Sequence, residues 1–120
     1  MNEDRVRRAE ELFTDGCNCA QAVFAAFADE FGMDLETAKK VSCGLGGGVG
    51  RLREVCGAVT GATLVLGMRH GPDKDAVYPK VQDFCAKFKE ACGSIVCREL
   101  LASKKRPCGE MVKLAAWLLG

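Results

Sequence analysis

Residues 44–61, GLGGGVGRLREVCGAVTG, decide the fold class of this chain. Five glycines fall within the seven residues from Gly44 to Gly50. As a phosphate-binding loop, such a run would announce an α/β protein. It does not fit that role. No Lys-Ser/Thr follows the glycines, Val49 stands where G-x-G-x-x-G needs its third glycine, and no strand-like run precedes Gly44. What remains is backbone without side chains, leading into a helix expected over about Glu54 to Met68 with Cys56 in its opening turn. Gly57 and Gly61 then lie one turn apart on one face. Each interior glycine costs about 1 kcal/mol relative to alanine, so a packing or site reason is expected. Gly46, Gly47, Gly48 and Gly57 are candidates for close backbone approach to a cofactor, and tight helix–helix packing is the plainer alternative.

Outward from this stretch, helical periodicity dominates and no run alternates as a strand would. The pattern predicts a first helix from about Asp4 to Thr14. A second opens at Asn18 and runs to Phe31, and Asn18-Cys19-Ala20-Gln21 resembles a capping box. Asp34 caps a third helix over about Leu35 to Cys43. Beyond the fourth, Asp73 caps a long fifth helix to about Ala91, with Val77, Val81, Phe84, Cys85, Phe88 and Cys92 on its apolar stripe. Pro79 either kinks that helix or marks its true start. Ser94 restarts a short sixth helix through Leu101, and Pro107 opens a last one to Leu119. The expectation is one compact all-α domain over residues 1–120, with six to seven helices and a Gly-rich loop before the fourth.

Composition is that of an ordinary globular protein, at 48% apolar and 28% charged residues. Seventeen basic against sixteen acidic side chains leave a formal charge of +1, which gives no footprint for nucleic acid or an anionic membrane. The segment from Met1 to Glu11 is too charged for the core of a secretory signal. No run approaches the roughly 18 apolar residues of a membrane span. A cytoplasmic location is therefore expected, and in a reducing compartment eight cysteines point to metal binding or thiol chemistry more than to a disulfide framework.

The eight do not behave alike. Cys85 and Cys92 fall on the apolar stripe of the fifth helix, where cysteine acts as a small hydrophobe. Cys43 sits at a helix C-terminus, whose dipole disfavours a thiolate. Cys17 lies just outside the second helix. The other four share a placement: Cys19 follows the Asn18 cap, Cys56 opens the fourth helix, Cys97 follows Ser94, and Cys108 follows Pro107. Free backbone N–H groups at such helix starts lower a thiol pKa and favour anions, as a nucleophilic thiolate or a metal–thiolate centre requires. Among weaker candidates, His70 reads as a solvated turn residue. Arg51 and Arg53 could stabilise thiolates near Cys56. Trp117, with Leu114, Leu118 and Leu119, reads as core, although this terminal helix could dock a second subunit to form a homodimer.

Cys56-Gly57-Ala58-Val59-Thr60-Gly61, with Asn18-Cys19-Ala20-Gln21 upstream and Cys97-Arg98-Glu99-Leu100 and Cys108 downstream, resembles the C_GCAxxG_C_C family, named for a presumed redox activity. The resemblance runs from about Gly16 to Leu119, although the family name spells G-C-A where this chain reads C-G-A. Its four characteristic cysteines map onto Cys19, Cys56, Cys97 and Cys108, and Cys17, Cys43, Cys85 and Cys92 lie outside the pattern. The resemblance implies redox activity. Members carrying selenocysteine imply a reacting chalcogen, whereas a similar domain in split-Soret cytochromes implies a cysteine-bound iron–sulfur cluster.

Three functions follow as expectations. In the first, the four cysteines are metal ligands of an iron–sulfur cluster, [2Fe–2S] favoured, that passes electrons to a redox partner protein. Their successive spacings of 37, 41 and 11 residues require four helix starts to converge in space. In the second, the protein is a metal-free thiol–disulfide oxidoreductase with Cys97 and Cys108 as the pair closest in sequence. In the third, the cysteines bind zinc in a structural, partner-binding module. No two of the four lie at the short C-x2–4-C spacing of common zinc modules. An oxidoreductase and a non-enzymatic electron carrier both remain open.

Overall fold

The capping box at Asn18 forms: its side chain accepts the Gln21 N–H at 2.8 Å, and the Gln21 side chain accepts the Asn18 N–H at 2.9 Å. Both side chains also reach the end of a neighbouring helix, donating to the Cys43 and Lys39 carbonyls at 3.0 and 3.1 Å. One local signal thus fixes a helix start and a helix–helix junction together. The computed structural model describes residues 2–120. They form α1 (Asn2–Thr14), α2 (Cys19–Ala25), a 3₁₀ turn (Ala28–Phe31), α3 (Leu35–Cys43), α4 (Gly57–His70), α5 (Lys74–Cys92), α6 (Cys97–Ser103) and α7 (Cys108–Leu119). The all-α expectation holds, with no strand among the described residues.

α2 is the central element. It packs against α1, α3, α4 and α7, and α5 closes the bundle against α4 and α7. Ala20, Ala22, Val23, Phe24 and Ala25 are buried all round it, as a helix enclosed on every side requires. Phe27, Val59, Val65, Phe88 and Val112 complete one core. No helix among the described residues is long and apolar enough to cross a membrane.

The expected second helix to Phe31 breaks after Ala25. From Phe27 onward the amides bond three residues back, Phe27 to the Phe24 carbonyl at 3.1 Å and Glu30 to Phe27 at 3.0 Å. The Ala26 carbonyl thereby freed accepts from Arg5 Nη1 at 2.8 Å. Arg5 and Arg69 lie over the ring of Phe27, 5.2 and 5.1 Å from its centroid, and Arg69 also pairs with Glu30 at 2.6 Å. A cation on this ring and a guanidinium on that carbonyl, both from other helices, explain a tightening that the local sequence did not announce.

Other boundaries shift less. α4 begins at Gly57, three residues later than expected, with Cys56 as its N-cap. Pro79 does not start α5 but lies inside it, five residues after Lys74, and the helix continues to Cys92. Pro107 is the extended N-cap of α7 and not its first helical residue. Trp117 is 54% exposed, contrary to the core reading. α7 turns Met111, Val112, Ala115, Ala116 and Leu119 inward, and that face leaves Trp117 on the opposite side of the helix.

Gly57 and Gly61 explain themselves in the α2–α4 contact. A Cβ at Gly61 would stand 2.7 Å from the Ala20 carbonyl oxygen, and one at Gly57 would stand 3.1 Å from Cys19 Cβ. The two helices meet backbone to backbone. Gly67, on the same helix, would place a Cβ in open space. Gly61→Val is therefore expected to destabilise the protein by about 1–3 kcal/mol through overpacking, whereas Gly67→Ala should stabilise it by about 0.5–1 kcal/mol. Urea denaturation of the two variants beside the parent chain checks both signs.

Candidate cysteine site

The four selected cysteines converge. Cys19, Cys97 and Cys108 are the first residues of α2, α6 and α7, and Cys56 caps α4. All four line one cavity of ≈ 190 Å³. Its remaining wall is mostly apolar, from Phe13, Leu100, Leu101 and Met111, with Asn18, Gly47, Gly48, Gly57 and Arg53 between them. Cys17, Cys43, Cys85 and Cys92 do not line it. Cys43 is exposed at the end of α3, and Cys92 is buried in the core. His70 ends α4 and faces a separate groove beside Pro79.

Two devices bring the helix starts together. The first is the α2–α4 glycine contact, which sets Cys19 beside Gly57. The second is a short antiparallel bridge between Val55 and Val96. In it the Cys56 N–H donates to the Ile95 carbonyl at 2.8 Å, and the Cys97 N–H donates to the Glu54 carbonyl at 2.6 Å. Cysteines 41 residues apart in sequence thus become neighbours. Ser94 supports the bridge from below, its hydroxyl accepting the Val96 N–H at 3.0 Å and donating to Glu99 at 2.6 Å.

The glycine loop shapes the cavity floor. From Gly47 to Arg51, φ lies between +54° and +74°, and Arg53 is at +63°. Val49, Arg51 and Arg53 hold this left-handed backbone at a cost of about 1–2 kcal/mol each. Loop amides support it, Gly50 donating to the Gly44 carbonyl at 2.8 Å and Glu54 to Gly48 at 2.9 Å. A Cβ at Gly48 would stand 2.8 Å from Cys97 Cβ. Gly46 is used otherwise: it does not line the cavity, and the Asn18 side chain fills the space a Cβ would take. The glycines mapped from the sequence thus admit protein atoms at close range, with Gly47, Gly48 and Gly57 also bordering the cavity.

Electrostatics at the site run against the helix-start expectation. Burial holds the Cys19 thiol far above its ordinary value, and negative charge on Cys108, Cys56 and Cys97 raises it further. Among these neighbours Cys108 contributes most. Cys56 is pushed up to about 11 by burial, although backbone N–H groups of Ala58 and Val59 favour its thiolate. Desolvation outweighs the helix start because an apolar wall removes water from the ion, while the amides return only part of what water supplied. Arg53 is the one cationic group in the lining; its Nη1 stands 3.9 Å from Cys97 Sγ. Among the described residues, no three Cys, His, Asp or Glu side chains are gathered closely enough to hold a single metal ion.

Sequence reasoning missed the Val55–Val96 bridge, the apolar lining from Phe13 and Met111, and the Asn18–Gly46 contact. None of these has a local sequence signal, because each joins segments distant in the chain.

Residues 17–120 match the family described as "Putative redox-active protein (C_GCAxxG_C_C)". No curated protein and no solved structure gives a significant match. The chain belongs to the C_GCAxxG_C_C family.

The raised thiols predict a pH dependence. Unfolded cysteines lose their protons near pH 8.5, whereas folded Cys56 keeps its proton to about 11. Between these values the unfolded chain binds fewer protons than the folded one, so stability falls as pH rises. The slope reaches about 1.4 kcal/mol per pH unit for each such thiol. Reduced, metal-free protein should therefore unfold at lower urea at about pH 10 than at about pH 8, and Cys56→Ala should flatten the difference.

Proposed function

We propose that this family member is a redox protein whose Cys19, Cys56, Cys97 and Cys108 hold an iron–sulfur cluster, [2Fe–2S] in the first instance, for electron transfer. The carrying observation is the selection itself: of eight cysteines, these four alone border the cavity. Four thiols packed into an apolar hollow cannot all ionise against one another, as the raised Cys19 and Cys56 show. A cationic metal core removes that repulsion. Four cysteine thiolates are the donor set that such a cluster takes. When bound, the cluster would supply one-electron chemistry at a potential set by its hydrogen bonds and burial. The Ala58 and Val59 amides hold charge at Cys56, Arg53 offsets charge at Cys97, and Phe13, Leu100 and Met111 keep water away.

A second reading, metal-free thiol–disulfide exchange, has one observation in its favour. Cys108 is the cysteine whose charge acts most strongly on the Cys19 thiol, which favours this pair over the Cys97–Cys108 pair suggested by sequence proximity. Joining the two sulfurs would release two protons and pass two electrons to a disulfide substrate, which is reduced to its dithiol.

Protein purified without air should show visible charge-transfer bands, an EPR signal on reduction, and iron and sulfide in about the two-to-two ratio of a [2Fe–2S] centre. Replacing any one of the four cysteines by Ser should strip the iron, whereas Cys85→Ser should retain it. Iron-free protein, or iron lost from Cys85→Ser and kept by Cys19→Ser, overturns the reading. Under the second reading, oxidation of metal-free protein followed by peptide mapping should yield a Cys19–Cys108 cross-link.

A further inference from the structure

We infer that the face around the cavity mouth is a docking surface for an acidic electron-carrier protein; this rests on the electron-transfer reading above. A net charge of +1 conceals a strong asymmetry. Two of the segments that line the cavity, residues 44–57 and 97–108, carry six basic side chains against two acidic ones, a net +4. The rest of the chain carries eleven against fourteen, a net −3. The six are Arg51, Arg53, Arg98, Lys104, Lys105 and Arg106, all exposed. Both acids are engaged locally, Glu54 in an ion pair with Arg98 and Glu99 with the Ser94 hydroxyl. The local field is therefore positive.

Exposed apolar residues lie in the same two segments. Leu52 is 67% exposed and Leu101 is 41% exposed. Leu101 and Cys108 line both the cysteine cavity and an adjoining depression of ≈ 230 Å³ that also takes in Lys104 and Arg106. The surface is thus continuous with the thiols. Exposed apolar groups among charged ones suit a protein interface, and complementary charge steers two partners together at high rate. Electron carriers need such short-lived encounters, with the two centres brought close. Nucleic acid is the poorer fit: both exposed large aromatics, Tyr78 and Trp117, lie outside these segments, so no base-stacking platform accompanies the charge.

The test is calorimetric titration of the full chain, as purified, with four probes at low ionic strength. These are an acidic flavodoxin, a basic cytochrome c, a DNA duplex and anionic phosphatidylglycerol vesicles. The flavodoxin should bind, more weakly as salt is added, and should slow hydrogen exchange over residues 49–54 and 97–107. Charge reversal in Lys104→Glu with Lys105→Glu should weaken it about tenfold. Leu52→Ser, at an exposed site that leaves folding intact, should weaken it as well. No flavodoxin binding, protection elsewhere, equal binding of cytochrome c, or tighter binding of DNA or vesicles overturns the inference. Metal analysis of the same sample separates the two claims. Docking without iron removes only the cluster reading, and iron without docking removes only this one.

Discussion

The contact of α2 with α4 through Gly57 and Gly61 is the constraint on which the rest of the molecule depends. Where a Cβ would strike the Ala20 carbonyl, no side chain but glycine lets the two backbones meet. That closeness sets Cys19 beside the start of α4, and with it the distance between the first two thiols. It also fixes α2 in the middle of the bundle, enclosed by α1, α3, α4 and α7, which is why its buried residues are mostly alanines with a few large side chains. The glycines that looked costly in a helix are offset by packing that nothing larger could make.

Once the helix starts meet, electrostatics becomes the governing problem. Each start offers free amides to an anion, but an apolar cavity takes away the water that anion would otherwise have. At Cys56 both effects are visible at once, the Ala58 and Val59 amides pulling one way and burial winning the other. At Cys19 neighbouring thiolates add to burial. The free protein therefore holds protons that a cationic centre or an oxidant would have to displace.

The left-handed loop from Gly47 to Arg53 is the part of the chain under most conformational strain. Three non-glycine residues adopt φ values that L-amino acids rarely take. Their amides and the Val55–Val96 bridge hold them there, and the result places Arg53 at the cavity and Leu52 in solvent. Strain of this kind persists where surrounding structure over-determines it, and here it borders the cysteines.

The sequence by itself determined several helix starts, although Val96 and not Ser94 precedes α6 as its N-cap. Asn18, Asp34 and Asp73 cap the helices they were expected to cap, and the stripe through Phe84, Phe88 and Cys92 faces the core. Helix position and family motif separately picked out Cys19, Cys56, Cys97 and Cys108, and the structure gathers those four. Tertiary structure alone decided the break after Ala25, the outward turn of Trp117 and the bridge joining Cys56 to Cys97. It also decided the sign of the thiol shifts at Cys19 and Cys56. The division has one physical reason. Caps and periodicity depend on hydrogen bonds and faces within a few residues, whereas desolvation and close approach depend on atoms 37 to 41 residues away, and no local pattern encodes how much water they leave behind.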